Sequence, residues 1–315
     1  MTHAFVFPGQ GAQSVGMGRE LAEAYPEAKA VFDEVDDALG EKLSSLIWEG
    51  SAEELALTTN AQPALMATSL AGMAALKAEG VDVTTATFVA GHSLGEYSAL
   101  CAAGAISLAD TARLLRIRGT AMQAAVPVGE GAMAAIIGLD FETVKSIAKS
   151  AKGGVCQAAN DNDPSQVVIS GTKAAVEMAA ELAREKGAKR ALLLPVSAPF
   201  HCELMAPAAR VMANALDDVD ISEPHPPLVA NVNARAVTSK TLIRNLLVDQ
   251  ITGSVRWRES VEWMYAQGVV SFVEVGAGKA LSGMVRRINK EATTMAVNTA
   301  GDAKTVAAQL LEGNA

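Results

Sequence analysis

Cysteine is scarce in this chain of 315 residues: Cys101, Cys156 and Cys202 stand far apart and form no Cys-x-x-Cys pair. That excludes a disulfide framework and a cysteine-rich zinc site, and it favours a reducing compartment. Basic residues are outnumbered, 26 against 35 acidic ones, for a formal net charge of −9. A chain of that sign is no general binder of nucleic acid or of anionic membrane. No apolar run reaches the ~20 residues that span a bilayer. The opening MTHAFVFPGQ lacks the basic-then-apolar order of a secretory signal, so a soluble cytoplasmic protein is expected. Low-complexity tracts and internal repeats are missing too. Apolar substance is plentiful: hydrophobic residues make up 50% of the chain and charged ones 19%. That suffices for one large core, or a large core with a smaller one inserted.

Strand and helix patterns alternate. Residues 4–7, 86–91, 228–231 and 269–275 read as strands. Residues 94–103, 108–124, 241–250, 258–267 and 279–289 read as helices, and Thr59 and Asn60 offer capping oxygens ahead of Pro63 and a long helical run. This predicts an α/β fold with a mainly parallel sheet and helices on both faces. Residues 130–195 keep another rhythm: strand 132–139, helix 142–150, strands 155–159 and 166–170, helix 172–186, strand 190–194. That order, βαββαβ, is the split, ferredoxin-like unit. The expected organisation is a large domain of residues 1–128 and 196–315, interrupted by a ferredoxin-like subdomain at 129–195. The junction of the two would form a cleft, a common place for ligands.

The stretch ATFVAGHSLGEYSAL, residues 86–100, carries Gly-x-Ser-x-Gly at Gly91, Ser93 and Gly95. The pattern arises by chance in many chains, but here an apolar strand precedes it and a helix follows. In that context the serine sits on a sharp strand-to-helix turn, at a helix N-terminus that favours negative charge. The Leu94 N–H, just after the serine, then offers one donor of an oxyanion hole. A second must come from another loop, and the Pro-Gly-Gln-Gly turn through Gln10 is the best candidate. That turn is a poor phosphate cradle, since a dinucleotide fingerprint from Gly9 would need glycine where Ser14 stands.

A nucleophilic serine needs a base, and the chain has four histidines. His3 lies near the terminus, His92 adjoins Ser93 and should point away, and His225 sits in a loop-like EPHPP. His201 remains, between the last strand of the inserted unit and a helix. Cys202 beside it reads as core. No carboxylate presents itself to orient His201; a backbone carbonyl would serve as well. On the helix 108–124, Arg118 has Leu114 and Met122 four residues away and Leu115 and Ala121 three away, which places it on the buried side. Arg113 and Arg116 fall on a face with Asp110 and Thr120 and read as solvated. A buried guanidinium must be paired. Its partner is either an internal Asp or Glu, or an acyl group that brings its own carboxylate.

Together these residues resemble the malonyl-CoA:acyl carrier protein transacylases. The likeness runs through FVFPGQGAQSVGMG (5–18), TTNAQPAL (58–65), GHSLGEYSAL (91–100), RIRGTAMQ (116–123), AANDNDPSQVVISG (158–171), PVSAPFHCELM (195–205), NVNA (231–234), DQITGSVRW (249–257) and FVEVGAGKAL (272–281). It implies an α/β-hydrolase-like large domain and a ferredoxin-like small one. It also implies Ser93 as nucleophile, His201 as base, the amides of Gln10 and Leu94 as oxyanion hole, and Arg118 as the grip on the malonyl carboxylate. By the same likeness the backbone carbonyl of Gln250 orients the histidine, and Phe200 favours malonyl over methylmalonyl units. The expected reaction is ping-pong transfer of malonyl from malonyl-CoA, through an ester on Ser93, to the phosphopantetheine thiol of holo-acyl carrier protein. No permanently bound cofactor or metal is implied, and a monomer is expected. Carrier proteins are acidic, so docking needs a local basic surface, with Lys189, Arg190, Lys279, Arg286, Arg287 and Lys290 as candidates. The rival readings are a serine esterase or thioesterase, a trans-acting polyketide acyltransferase, and a non-catalytic binding protein.

Overall fold

A computed structural model describes residues 2–313. The larger sheet has six strands: β1 (His3–Phe7), β2 (Phe88–Gly91), β7 (Leu228–Val229), β8 (Ala236–Val237), β9 (Ser271–Val275) and β10 (Thr293–Val297). Their spatial order is β10-β9-β1-β2-β7-β8, parallel throughout except for the β7–β8 pair. Alternate side chains of a strand point to opposite faces, and both faces here are covered. Phe5, Phe7, Val89, Leu228, Val273 and Val275 join one core with the helices Thr58–Ala78, Leu108–Ala124 and Ala206–Asp217. Ala4, Val6, Ala90, Val229 and Phe272 join another with Trp257, Val261, Leu281 and Val285 of the helices Trp257–Ala266 and Ala280–Ile288.

The second sheet is antiparallel, in the order β4-β5-β3-β6, from β3 (Gly131–Ile137), β4 (Cys156–Asp163), β5 (Gln166–Thr172) and β6 (Arg190–Leu193). Ala134, Ile136, Val167 and Ile169 pack under the helices Phe141–Ser150 and Lys173–Glu185. From the opposite face Met133, Ala135, Ala159 and Val168 enter the main core.

Strand β4 runs four residues past its predicted end at 159. Asn160 to Asp163 look like loop in sequence, yet all four are buried, because the rest of the molecule supplies partners. Asn160 bridges to Val255, Asp161 pairs with Arg258 at 2.9 Å, Asn162 meets His92 at 2.9 Å, and Asp163 pairs with Arg287 at 2.7 Å.

Two local expectations fail for identifiable reasons. The helix Thr58–Ala78 starts ahead of Thr59 and has no side-chain cap, with Pro63 inside it. The Thr59 hydroxyl pairs with Thr120, and the Asn60 amide donates to the Glu54 carbonyl. Pro63 has no N–H for the Thr59 carbonyl four residues back; Arg116 Nη1 donates to that carbonyl instead, at 2.8 Å. Arg116 is therefore half-buried and bonded also to Asn60 and Glu41, where a solvated side chain was expected. Arg113, by contrast, is exposed.

Candidate active site

The site forms where parallel strands end. Phe7 of β1 is in register with Gly91 of β2, and Ala90 with Val229 of β7. Gln10, Ser93 and Asn231 thus all lie just past the carboxyl ends of three neighbouring strands, the usual place for ligands on such a sheet. The glycines of the serine motif are there for close approach. A Cβ on Gly91 would lie 1.9 Å from the Gly95 carbonyl oxygen, and one on Gly95 would lie 2.2 Å from that of Phe7. Gly95→Ala must push the elbow off β1, and is expected to destabilise the fold by about 1–3 kcal/mol or more. A denaturant midpoint equal to that of the parent chain would contradict this.

Ser93 has φ 54° and His201 φ 59°, two of the three non-glycine residues with positive φ among those described. Such backbone persists only where surrounding bonds hold it. For Ser93 the holder is Asn231. Its Oδ1 accepts the Ser93 N–H at 2.9 Å, its Nδ2 donates to the Gly91 carbonyl at 2.7 Å, and its own N–H donates to Glu96 Oε2 at 3.0 Å. The Ser93 amide is thereby used up. Among the described residues the Leu94 and Gln10 amides donate to no protein acceptor. Leu94 immediately precedes the helix Gly95–Ala102.

The loop after β6 brings His201 to Ser93. Ser93 Oγ lies 2.7 Å from His201 Nε2, and His201 Nδ1 lies 2.8 Å from the carbonyl oxygen of Gln250. A carbonyl only accepts, so Nδ1 carries the proton and Nε2 is free to take one from the serine. Burial, helped by the nearby Arg118 charge, pushes the His201 pKa down to about 3. His92 turns away from Ser93, as expected, and meets Asn162. His225 is exposed, and Cys202 is buried.

Arg118 is 1% exposed and reaches the same serine. Its Nη2 lies 3.2 Å from Ser93 Oγ and 2.8 Å from Gln250 Oε1, while Nη1 donates to Gln62 Oε1 at 2.7 Å. The Tyr97 ring lies under it at 5.7 Å. None of the ion pairs among the described residues involves Arg118. Of the two alternatives, an internal Asp or Glu is absent among the described residues, and two neutral amides, Gln62 and Gln250, stand there. Glu96, fully buried, acts on it across Gln250: Gln250 Nε2 donates to Glu96 Oε2 at 2.8 Å. Burial raises the Glu96 pKa to about 7, against the opposing bonds from Gln250 and Asn231 and the charge of Arg118.

A chain of amides and a hydroxyl ties the Gln10 loop to the cation. Thr58 Oγ1 donates to Gln10 Oε1 at 2.8 Å and accepts from Gln62 Nε2 at 2.9 Å, and Gln62 holds Arg118. Gln62, Glu96 and Asn231 were not singled out in the sequence. Each is a polar residue within or beside an apolar run, a signal too common to stand out. Phe200, beside His201, is buried in the main core. Lys189, Arg190, Lys279, Arg286 and Lys290 are exposed, while half-exposed Arg287 is tied to Asp163. No group of three or more His, Cys, Asp or Glu side chains suited to a metal occurs among the described residues. No helix among them is long and apolar enough to cross a membrane.

A hydroxyl bonded to a neutral, backbone-anchored imidazole at the end of a parallel sheet defines a site suited to acyl chemistry. A model of the acyl transferase domain matches residues 4–306, and the chain belongs to that family. It is 52% identical over 297 residues to the malonyl CoA-acyl carrier protein transacylase of Bacillus subtilis, covering 94% of this chain and 93% of the relative. To that of Escherichia coli it is 48% identical, covering 94% and 95%. Among solved structures, the acyl-carrier-protein S-malonyltransferase of Bartonella henselae superposes with TM-score 0.96 at 56% identity, over 98% of this chain and 99% of that one. A malonyl-transacylase in complex with a type II polyketide acyl-carrier protein superposes at 0.95 with 42% identity, over 98% of this chain and all of that one, 100%.

Proposed function

We propose that this protein moves the malonyl group from malonyl-CoA to the phosphopantetheine thiol of acyl carrier protein, supplying fatty acid synthesis. The observation that carries the reading is Arg118: a buried guanidinium with no carboxylate ion pair among the described residues, 3.2 Å from the hydroxyl of Ser93. A substrate whose acyl group ends in a carboxylate supplies the missing counter-charge, and a fork of two N–H groups suits it. The names of the relatives, malonyl CoA-acyl carrier protein transacylases, agree with that substrate.

The reaction runs in two halves. His201 Nε2 takes the Ser93 proton as Oγ attacks the thioester carbonyl, and the amides of Gln10 and Leu94 receive the oxyanion. The C–S bond breaks, and the imidazolium returns its proton to the departing coenzyme A sulfur. In the second half His201 deprotonates the carrier thiol, which attacks the Ser93 ester and leaves the serine reprotonated. Gln250 orients His201 through its carbonyl, and Phe200 crowds an α-methyl group, a preference worth about 1–3 kcal/mol. The large unit, residues 1–128 and 196–315, is α/β-hydrolase-like, and the small unit, 129–195, is ferredoxin-like. The protein acts as a cytoplasmic monomer without a permanently bound cofactor, and acidic carrier protein docks against Lys189, Arg190, Arg286 and Arg287.

Intact-protein mass spectrometry tests this. Brief mixing with malonyl-CoA is expected to leave a malonyl adduct on Ser93, stable in water and discharged by holo-carrier protein. Free malonate accumulating without an adduct would identify a thioesterase instead. A second reading, in which the acceptor serves polyketide assembly, is favoured by the likeness to the polyketide carrier complex. Discharge rates with carrier proteins of the two kinds distinguish it.

A further inference from the structure

Glu96 is a buried carboxylate at the centre of the site to which the mechanism above assigns no part. It adjoins no reacting atom, and one of its oxygens, Oε1, has no partner among the described residues. The other, Oε2, accepts from Gln250 Nε2 at 2.8 Å and from the Asn231 N–H at 3.0 Å. Gln250 is the residue through which the two functional side chains meet: its Oε1 takes Arg118 Nη2 at 2.8 Å, and its backbone carbonyl takes His201 Nδ1 at 2.8 Å. An amide can be placed either way round in a pocket, with nearly the same shape. Oε2 is held as an acceptor by the Asn231 N–H, and with the Ser93 carbonyl, 3.0 Å from the same Nε2, it draws the NH2 end of Gln250 toward itself and leaves the oxygen for Arg118. Were the amide reversed, an N–H would face the guanidinium and an oxygen the carboxylate, and both contacts would fail.

We propose that Glu96 is a positioning residue: its Oε2 takes the shorter of the bonds that hold the Gln250 amide, beside the one to the Ser93 carbonyl, and thereby aims Arg118 at the acyl carboxylate. This rests on the malonyl reading above and assigns a further determinant of its selectivity. The requirement is an acceptor at the place of Oε2; a charge is not required. Glutamine can present its amide oxygen there, because the Asn231 N–H admits only an acceptor. Aspartate keeps the charge but falls one methylene short.

The test is the rate of adduct formation on Ser93 from malonyl-CoA and from acetyl-CoA in the parent enzyme, Glu96→Gln and Glu96→Asp. An acetyl group has no carboxylate for Arg118, so the ratio of the two rates reads Arg118 alone. In Glu96→Asp the malonyl-to-acetyl ratio is expected to fall about tenfold, with most of the malonyl loss in KM, and in Glu96→Gln to stay within about threefold of the parent. General damage to the fold would lower both rates together and leave the ratio where it was. An unchanged ratio in Glu96→Asp, or a ratio in Glu96→Gln as low as in Glu96→Asp, overturns the proposal. Failure of the parent enzyme to take malonyl from malonyl-CoA would instead remove the reading of function on which it rests.

Discussion

Replacing Arg118 by alanine is expected to lower kcat/KM for malonyl loading of Ser93 by about 30-fold to several thousand-fold, the equivalent of about 2–5 kcal/mol. The size follows from burial. At 1% exposure the guanidinium meets little water, and an incoming carboxylate is paired in a medium that screens weakly. With the side chain gone, that carboxylate must shed its water and find only the amides of Gln62 and Gln250. Acetyl-CoA offers no carboxylate, and its loading is expected to hold or to rise, since a bulky cation has left the pocket. The measurement is the burst of each adduct by mass spectrometry in the same variant. Malonyl loading unchanged in Arg118→Ala would remove the carboxylate clamp from the mechanism.

His201→Ala is expected to slow the same step by about 10²–10⁴-fold, the ordinary worth of a positioned base. A second readout uses the parent enzyme alone. Burial and the neighbouring Arg118 hold the imidazole pKa down to about 3, so the ring stays a competent base well below the usual histidine range. Single-turnover loading should then be nearly level from pH 7 to pH 5, and its acid limb should lie near pH 3. A limb centred on 6.5 would mean that the ring titrates as an exposed one does. The same displacement has a cost in stability. Between about pH 6.5 and pH 3 the unfolded chain binds a proton at this residue that the folded chain refuses, so the His201 contribution to stability falls as the pH drops through that window. Loading rates at pH 5 must therefore be taken on protein verified as folded.

The parts legible in the sequence are those fixed by local spacing. The Gly91-Ser93-Gly95 pattern between a strand and a helix marks the elbow because both glycines face backbone at under 2.5 Å, as their missing Cβ atoms reveal. Arg118 could be placed on the buried face from its neighbours at three and four residues, and the helix Leu108–Ala124 has the predicted bounds. His201 followed from elimination among four candidates. Missed were residues whose importance lies in distant partners. Asn231 stands 138 residues from the Ser93 amide it accepts, and Gln62 56 residues from the arginine it holds. Arg116 reads as solvated because its helical neighbours say nothing of Pro63, on another helix, which leaves a carbonyl for it to fill. Asn160 to Asp163 look like loop because polar side chains ordinarily mean water. No pattern within the strand discloses that His92, Arg258 and Arg287 wait in elements distant in the chain.

That strand sets the terms on which this enzyme could be recombined. The side chains of Asp161, Asn162 and Asp163 find partners at positions 258, 92 and 287, and the backbone at Asn160 bridges to Val255, positions that lie before and after residues 129–195 in the chain. A graft that exchanged residues 129–195 for those of a relative would carry in one half of every fastening and none of the other. If the donor placed a small apolar residue at 161 or 163, Arg258 or Arg287 would lose its carboxylate. If it altered 162, the disturbance would reach His92, one residue from the serine. Compatibility in such a chimera is therefore decided at a few lock-and-key positions on one edge strand, whatever the similarity of the rest.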